Sequence, residues 1–471
     1  MPTGIKKFLS APLFSDIRFW IILYFLIRLF HITQPPLEIA HNWRQSTGLM
    51  VSRNFYEIDA NIFYPRVDMA GEKTGITGTE FPLFNYLIYL VAKVFGWDDW
   101  YGRLINLIVS SIGIYWFFKI LDKSFNSRVA FYSSFILLNS LWFAYSRKTM
   151  PDTFSLALVL GGLYYGLQYL SRGKRWRLFL FAVFSFCGIM SKIPAGYILA
   201  VLILPFLDGK VPVSRKLLMA LSFGFISIPV VWWYFIWVPY LVTHYEFWHY
   251  YMGTTFVNGA HEIATHLDQA IEKFYFAALN YIGSALFIAG LVSAVYKREK
   301  LLLAVFCLCF GAFVIFILKA GFAFYHHNYY IIPFVPVMAL FAGYMLSEVK
   351  SPALSKILAF ALACEVILNA LPEFRVNTDQ RYKLTLEPLV ARYTSPGDLI
   401  AINCGSNPQQ IYLAHRKGWN LEDSSQVTAP YINKLRDKGC KMLIINKHEP
   451  YSPVLPYVII AENNDFVFYK L

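Results

Sequence analysis

The chain has 471 residues, 57% of them hydrophobic and only 15% charged, with a formal charge of +13 and a mean hydropathy of +0.46. Soluble domains carry about 25% charged residues, so a wholly water-exposed fold is excluded and long apolar stretches must face lipid. The positive charge falls in short clusters between those stretches, which assigns it to the orientation of membrane spans and excludes nucleic acid as the partner.

At roughly 20 residues per crossing, spans are expected near 17–33, 103–121, 129–146, 153–170, 177–191, 194–208, 217–238, 279–296, 301–318, 329–346 and 353–371. That makes about eleven transmembrane helices. No small-residue cleavage site follows the first apolar run, so this segment reads as a retained anchor. With the N-terminus inside, alternate loops carry Lys6 and Lys7; Lys119, Lys123 and Arg128; Arg172, Lys174, Arg175 and Arg177; Lys210, Arg215 and Lys216; Lys297, Arg298 and Lys300; Lys350 and Lys356. Each inside loop is short and basic, as positive-inside orientation requires. The apolar stretch Phe81 to Phe95 would reverse every later loop if it crossed, so it is expected to be an interfacial helix on the outer face.

Three regions then lie outside: residues 34–100, a large first loop with interfacial helices; residues 241–278, rich in His and aromatics; and a tail from residue 372. The expected organisation is a transmembrane domain over 1–371 and a soluble extracytoplasmic α/β domain over 372–471. In the tail, Asp398–Cys404 reads as a buried strand. Asn407 and Pro408 open a helix that is expected to end at Gly418 in a left-handed C′ position. A second helix from Ala429 stops at Gly439, the strand Lys441–Asn446 follows, and Tyr457–Glu462 and Asp465–Tyr469 flank a hairpin at Asn463-Asn464. The turn after the first strand lacks the G-x-G-x-x-G spacing of a dinucleotide site, which favours an accessory role. Cys404 ends one strand and Cys440 begins another; if these run parallel, the two lie at opposite sheet edges, too far apart to pair.

Acidic groups, cations and histidines gather at the outer ends of the spans, where ionisable residues are costly and often functional. The first loop offers Glu38, His41, Arg44, Arg66, Asp68 and Glu80; the loops between spans offer Arg147, Lys148, Asp152 and Lys192; and His326, His327 and Tyr329 precede a later span. Each has a plain alternative. Arg147, Lys148 and Lys192 suit lipid phosphates at the interface, Asp152 suits a helix N-cap, and Arg28 suits snorkelling out of the first span. His261 and His266 are five residues apart, about 140° around a helix, which does not make the H-E-x-x-H zinc site. His244 and His249 lie in an aromatic interfacial belt.

The run His41-Asn42-Trp43-Arg44-Gln45, followed by Glu80-Phe81-Pro82-Leu83, Pro151-Asp152, Lys192-Ile193-Pro194 and Tyr329-Tyr330, resembles in its order the GT-C membrane glycosyltransferases that use polyprenyl-phosphate sugars. Protein O-mannosyltransferases and the aminoarabinose transferases of lipid A are similar in layout over nearly the whole chain. Two departures stand out. Family members commonly have Asp-Glu where this chain has His41-Asn42, and many have Glu-Lys-Pro-Pro where it has Glu80-Phe81-Pro82-Leu83.

The resemblance implies sugar transfer from a polyprenyl-phosphate donor to a lipid, glycan or protein acceptor outside the cytoplasm, by a multi-pass protein of the bacterial plasma (inner) membrane serving the cell envelope. The base candidates are Asp68 and Asp152 ahead of Glu38 and Glu80, and Arg44, Arg66, Lys148 and Lys192 are the candidates for the donor phosphate. His41 and Tyr329 complete the expected substrate-binding set, and His326 or His327 would bind phosphate or a divalent metal, metal dependence being left open. Two rival classes are a transporter or flippase of lipid-linked saccharides, which would favour internal symmetry, and a non-catalytic envelope-assembly scaffold.

Overall fold

In the computed structural model, residues 12–247 and 253–471 are described; Lys6, Lys7 and His249 fall outside them. In chain order the principal helices are α1 (Ile17–Leu29), α2 (Asn42–Glu57), α3 (Leu83–Phe95), α4 (Tyr101–Ser124), α5 (Ser127–Leu138), α6 (Pro151–Arg172), α7 (Arg175–Ser191), α8 (Val213–Val231), α9 (Asn280–Lys297), α10 (Lys300–Ala320), α11 (Val335–Glu348) and α12 (Pro352–Ala370). The tail adds α13 (Gln409–Ala414), α14 (Ala429–Asp437) and strands β1 (Leu399–Asn403), β2 (Gly418–Leu421), β3 (Cys440–Asn446), β4 (Val458–Glu462) and β5 (Phe466–Lys470).

Among the described residues, five helices are long and apolar enough to cross a membrane: Tyr101–Ser124, Val213–Tyr245, Lys300–Ala320, Asn328–Glu348 and Pro352–Phe374. A sixth counts if Leu267–Ala277 and Asn280–Lys297, bent by 94°, form one span. The expected eleven segments are all helical, but several are short or broken. The segment near 129–146 stops at Asn139, which ends α5, and resumes as Leu141–Tyr145 under the Ser140 cap. The segment near 194–208 is a 3₁₀ stretch, Ile193–Leu202, followed by one helical turn.

The chain divides into two compact units. The first collects the described residues of Met1–Ile32, Arg103–Trp232 and Tyr251–Pro372. At one end of this bundle the basic loops are tied to one another. Arg128 Nη2 donates to Val349 O at 2.9 Å, Arg215 Nη1 donates to Leu170 O and Ser171 O at 3.0 and 2.9 Å, and Lys297 pairs with Glu348. The clustering of these cations at one end is what the charge alternation along the sequence calls for.

The second unit joins the described residues of Thr33–Gly102, Trp233–Tyr250 and Glu373–Leu471, so the first loop packs with the tail, in contrast to a division at residue 372. The reason lies in the sheet, whose order is β2-β1-β3-β5-β4, with β1 parallel to β2 and β3 and β5 antiparallel to β3 and β4. Strand side chains alternate between faces. Ile400, Ile402, Met442, Ile444, Phe466 and Phe468 bury one face in a cluster with Leu49, Met50 and Phe55 of α2. Ala401, Leu443, Ile445, Val467 and Tyr469 bury the other with Ile432 and Leu435 of α14. Helix α2 is therefore a layer of the tail domain. Helix α3, with 13 residues, covers about 20 Å at 1.5 Å per residue, short of a membrane crossing, and its Tyr89 joins the same cluster as α2.

One expectation for the tail needs correction, and the expected unpaired cysteines hold. Helix α13 ends at Ala414, and the left-handed residue after it is His415 (φ 52°), not Gly418. Gly418 instead opens β2, an edge strand of four residues too short to show an alternating pattern. Cys404 and Cys440 are both free and buried. In the parallel pair Leu399 lies opposite Cys440, so Cys404, five residues beyond Leu399, sits past the far end of the strand.

Candidate active site

In the helical unit the loop before α6 is shaped by one asparagine. Asn106 of α4 directs Nδ2 to the carbonyls of Tyr145, Lys148 and Met150 at 2.9, 2.9 and 3.2 Å, and its Oδ1 accepts from Ser110 and Thr153. One amide thus ties three carbonyls of the helix break together inside the bundle, where Tyr145 O also accepts from Lys148 N and Thr153 Oγ1 and Lys148 O from Met150 N, and where backbone groups left unpaired are costly. The turn so formed places Lys148, fully buried, with Nζ 5.7 Å from the Tyr145 ring centroid.

Pro151 then starts α6, and Asp152 lies in its first turn, where the helix dipole favours a carboxylate. Met150 is the N-cap, so the reading of Asp152 as the cap is corrected. Lys192, which closes α7, donates from Nζ to Asp152 Oδ1, and both side chains are largely withdrawn from solvent. The same Nζ stands 4.8 Å from the Tyr329 ring centroid and 5.7 Å from that of Tyr330. Tyr145 and Tyr329 have centroids 6.3 Å apart, and His327 stacks on Tyr329 at 5.0 Å. Lys148, Tyr145, Tyr329, Lys192 and Asp152 thus form one connected cluster from three separated stretches of sequence. His326 meets His327 edge-on at 4.9 Å. Among the described residues no group of three or more His, Cys, Asp or Glu side chains is arranged to hold a metal ion.

Further cations lie in this unit. Arg28 is buried, not snorkelling: Nε donates to Tyr24 O at 2.9 Å, Nη1 donates to Ser146 Oγ, and the guanidinium lies 5.6 Å from the Phe143 ring centroid. Arg147 Nη2 donates to His31 O at 2.8 Å, and Arg103 Nη1 to Ile32 O at 3.0 Å. Arg103 and Asn106 were not among the residues singled out from sequence. The available signal was a cation and an amide near the start of an apolar span.

The second unit holds the remaining candidates. His41 takes a left-handed backbone (φ 57°) at the start of α2, a conformation uncommon for a non-glycine residue. It lies in a segment clamped to the tail. Gln409 Nε2 donates to Pro36 O at 2.8 Å, Glu38 bridges Val376, Asn407 Nδ2 donates to Asn42 Oδ1 at 3.0 Å, and Trp43 Nε1 donates to Ser406 O at 2.8 Å. Glu38 is buried there. Arg44 Nη2 donates to Glu80 Oε1 at 2.5 Å.

Asp68 is surrounded. Arg53 Nη2 reaches its Oδ2 at 3.0 Å, Asn54 Nδ2 reaches Oδ1 at 2.9 Å, and Gly418 N donates to its carbonyl at 2.9 Å. Arg53 continues to Tyr412 O at 3.1 Å and lies 4.2 Å from the centroid of that ring. Burial works to lower the Arg53 pKa, but Tyr412 and Asp68 outweigh it and hold it above the ordinary value. Arg66 pairs with Asp59 at 3.3 Å.

Residues 79–235 match the family model described as dolichyl-phosphate-mannose-protein mannosyltransferase. The structure of ArnT from Cupriavidus metallidurans bound to undecaprenyl phosphate superposes with a TM-score of 0.61 at 13% identity, covering 96% of this chain and 97% of that one. The fold is that of the GT-C glycosyltransferases. The oligosaccharyltransferase of Archaeoglobus fulgidus in its apo form matches this chain with a TM-score of 0.54 at 12% identity, over 91% of this chain and 70% of its own. Its complex with an inhibitory peptide and a dolichol-phosphate gives 0.50 at 12%, over 91% and 69%. A search by sequence against curated proteins finds no match.

Proposed function

We propose that the protein transfers a sugar from a polyprenyl-phosphate donor to a hydroxyl or amine acceptor on the non-cytoplasmic side of a plasma membrane. The observation that carries this reading is the buried Asp152–Lys192 pair with Tyr329 beneath the ammonium. An ion pair inside a helical bundle is costly to bury and is retained where it has work. The fold match to ArnT bound to undecaprenyl phosphate supports the choice of donor class.

The pair suits the chemistry. A donor phosphate competes for Lys192, so its arrival loosens the hold on Asp152. The acceptor oxygen or nitrogen then attacks the anomeric carbon, its proton passes to the Asp152 carboxylate, and the carbon–oxygen bond to phosphate breaks. The electron pair leaves on the phosphate oxygen, where Lys148 and Lys192 meet the developing charge without reorganising. The planar Tyr329 stabilises the ammonium by its ring face. Asp68 spends its carboxylate on Arg53 and Asn54, so we assign it to structure. Glu80, held by Arg44, is the second base candidate, and His41 is a donor or acceptor contact in the first loop.

Purified protein incubated with radiolabelled polyprenyl-phosphate sugars should release or transfer sugar; movement of the intact donor across a bilayer without turnover would instead make it a flippase. Orientation is tested by cysteines at Thr79 and Asp98, both of which should label with an impermeant reagent from outside.

A further inference from the structure

A cavity lies at the other end of the helical unit, near the basic loops. It has a volume of about 330 Å³, the size class of small-ligand sites. Its wall is apolar: Leu160 and Leu163 of α6, Ile198 and Leu204 of the segment after α7, Val305 of α10 and Leu340 of α11. Oxygen-bearing side chains, Ser124 and Asp208, lie only at helix ends.

Cations lie on the helix ends that supply this lining. Lys123 precedes Ser124, and its Nζ lies 5.2 Å from the Tyr164 ring centroid. Lys216 Nζ donates to the backbone carbonyl of Asp208 at 2.9 Å, and Lys300 adjoins Leu301, a lining residue. Arg215 is held nearby on the carbonyls of Leu170 and Ser171. The carboxylates in the same region are engaged locally, Asp122 accepting from Ser127 Oγ at 2.5 Å and Asp208 from Lys210 N at 2.9 Å.

The geometry points to a binding site for an anionic phospholipid, one acyl chain in the cavity and the phosphate headgroup among Lys123, Lys216 and Lys300. An apolar void of this kind holds no stable water, and hydrocarbon chains surround the bundle at high concentration. A chain inside recovers the dispersion contacts that a void forfeits. Cations at these helix ends select a negative headgroup over a zwitterionic one. The site needs no sugar donor and stands apart from the transfer reaction.

The test uses full-length protein in phosphatidylcholine nanodiscs doped with phosphatidylglycerol bearing a diazirine near the end of one acyl chain. After illumination, cross-links should map to Leu163, Leu204, Val305 or Leu340. The corresponding phosphatidylcholine probe should label them at least fivefold less, and Lys123→Gln with Lys216→Gln should remove that preference. Cross-links confined to outward positions such as Ile112, Leu221 and Phe225, which are exposed, would overturn the site. Equal labelling by the two lipids would overturn the headgroup assignment. Because the mapping needs no turnover, its failure is distinct from failure of the glycosyltransferase reading.

Discussion

The ammonium of Lys192 donates to Asp152 across a sequence separation of 40 residues and stands 4.8 Å from the centre of the Tyr329 ring. The pair is thus held in a setting where charge is scarce, with an aromatic face beside its ammonium.

Asp152→Asn keeps the shape and removes the base. Transfer should fall by about 10²–10⁴ in kcat, with donor affinity changed little. Lys192→Ala should weaken donor binding and lower kcat together, because the cation meets the phosphate before and during bond breaking. Equal turnover in wild type and Asp152→Asn, measured with radiolabelled donor, would pass the role of base to Glu80.

Asp68→Asn leaves Arg53 buried without its carboxylate. Breaking a buried pair costs about 3 kcal/mol or more, so the second unit should melt earlier and be cut faster by protease. Turnover per folded molecule should persist. A hundredfold loss of turnover at unchanged melting temperature would return Asp68 to the catalytic set.

Gly418→Val tests packing. A Cβ at this position would lie 1.7 Å from Ile400 O, a distance no side chain tolerates, so β2 must separate from β1. Yield and thermal stability should drop, and Gly418→Ala should fail in the same direction because the clash arises from Cβ itself. Normal expression of the alanine variant would show that the edge strand can shift freely.

His415 lies between Glu57 of α2 at 2.9 Å and Glu387 of the tail at 2.7 Å. The hydrogen bond to Glu57 raises its pKa above the ordinary value, against burial and the nearby Arg53. A raised histidine stabilises fully below its unfolded pKa of about 6.5 and loses that contribution as pH climbs through the folded value. The loop-to-tail contact should therefore be firmer at pH 6 than at pH 8.5, as read by limited proteolysis between residues 57 and 72. His415→Gln should flatten that dependence, and an unchanged slope in the variant would remove the histidine as its source.

The membrane class, the basic loops that share one end of the bundle, and most tail elements were legible from the chain alone. Apolar length, charge alternation and the Asn463-Asn464 turn are local signals that do not depend on distant partners. The order of the His41, Glu80, Pro151-Asp152, Lys192 and Tyr329 segments likewise carried the resemblance to GT-C enzymes. What the sequence left open was pairing. Nothing local says that Arg53 and not substrate will meet Asp68, or that Asn106 will gather three carbonyls from the loop before α6. Nor does it say that α2 will join the core of the tail's sheet, because its polar residues give it a low overall hydrophobicity while Leu49, Met50, Val51 and Phe55 enter the cluster with β1, β3 and β5. His415 rather than Gly418 took the left-handed position because β2 needs Gly418 pressed against Ile400, a contact between strands that only the folded chain brings together.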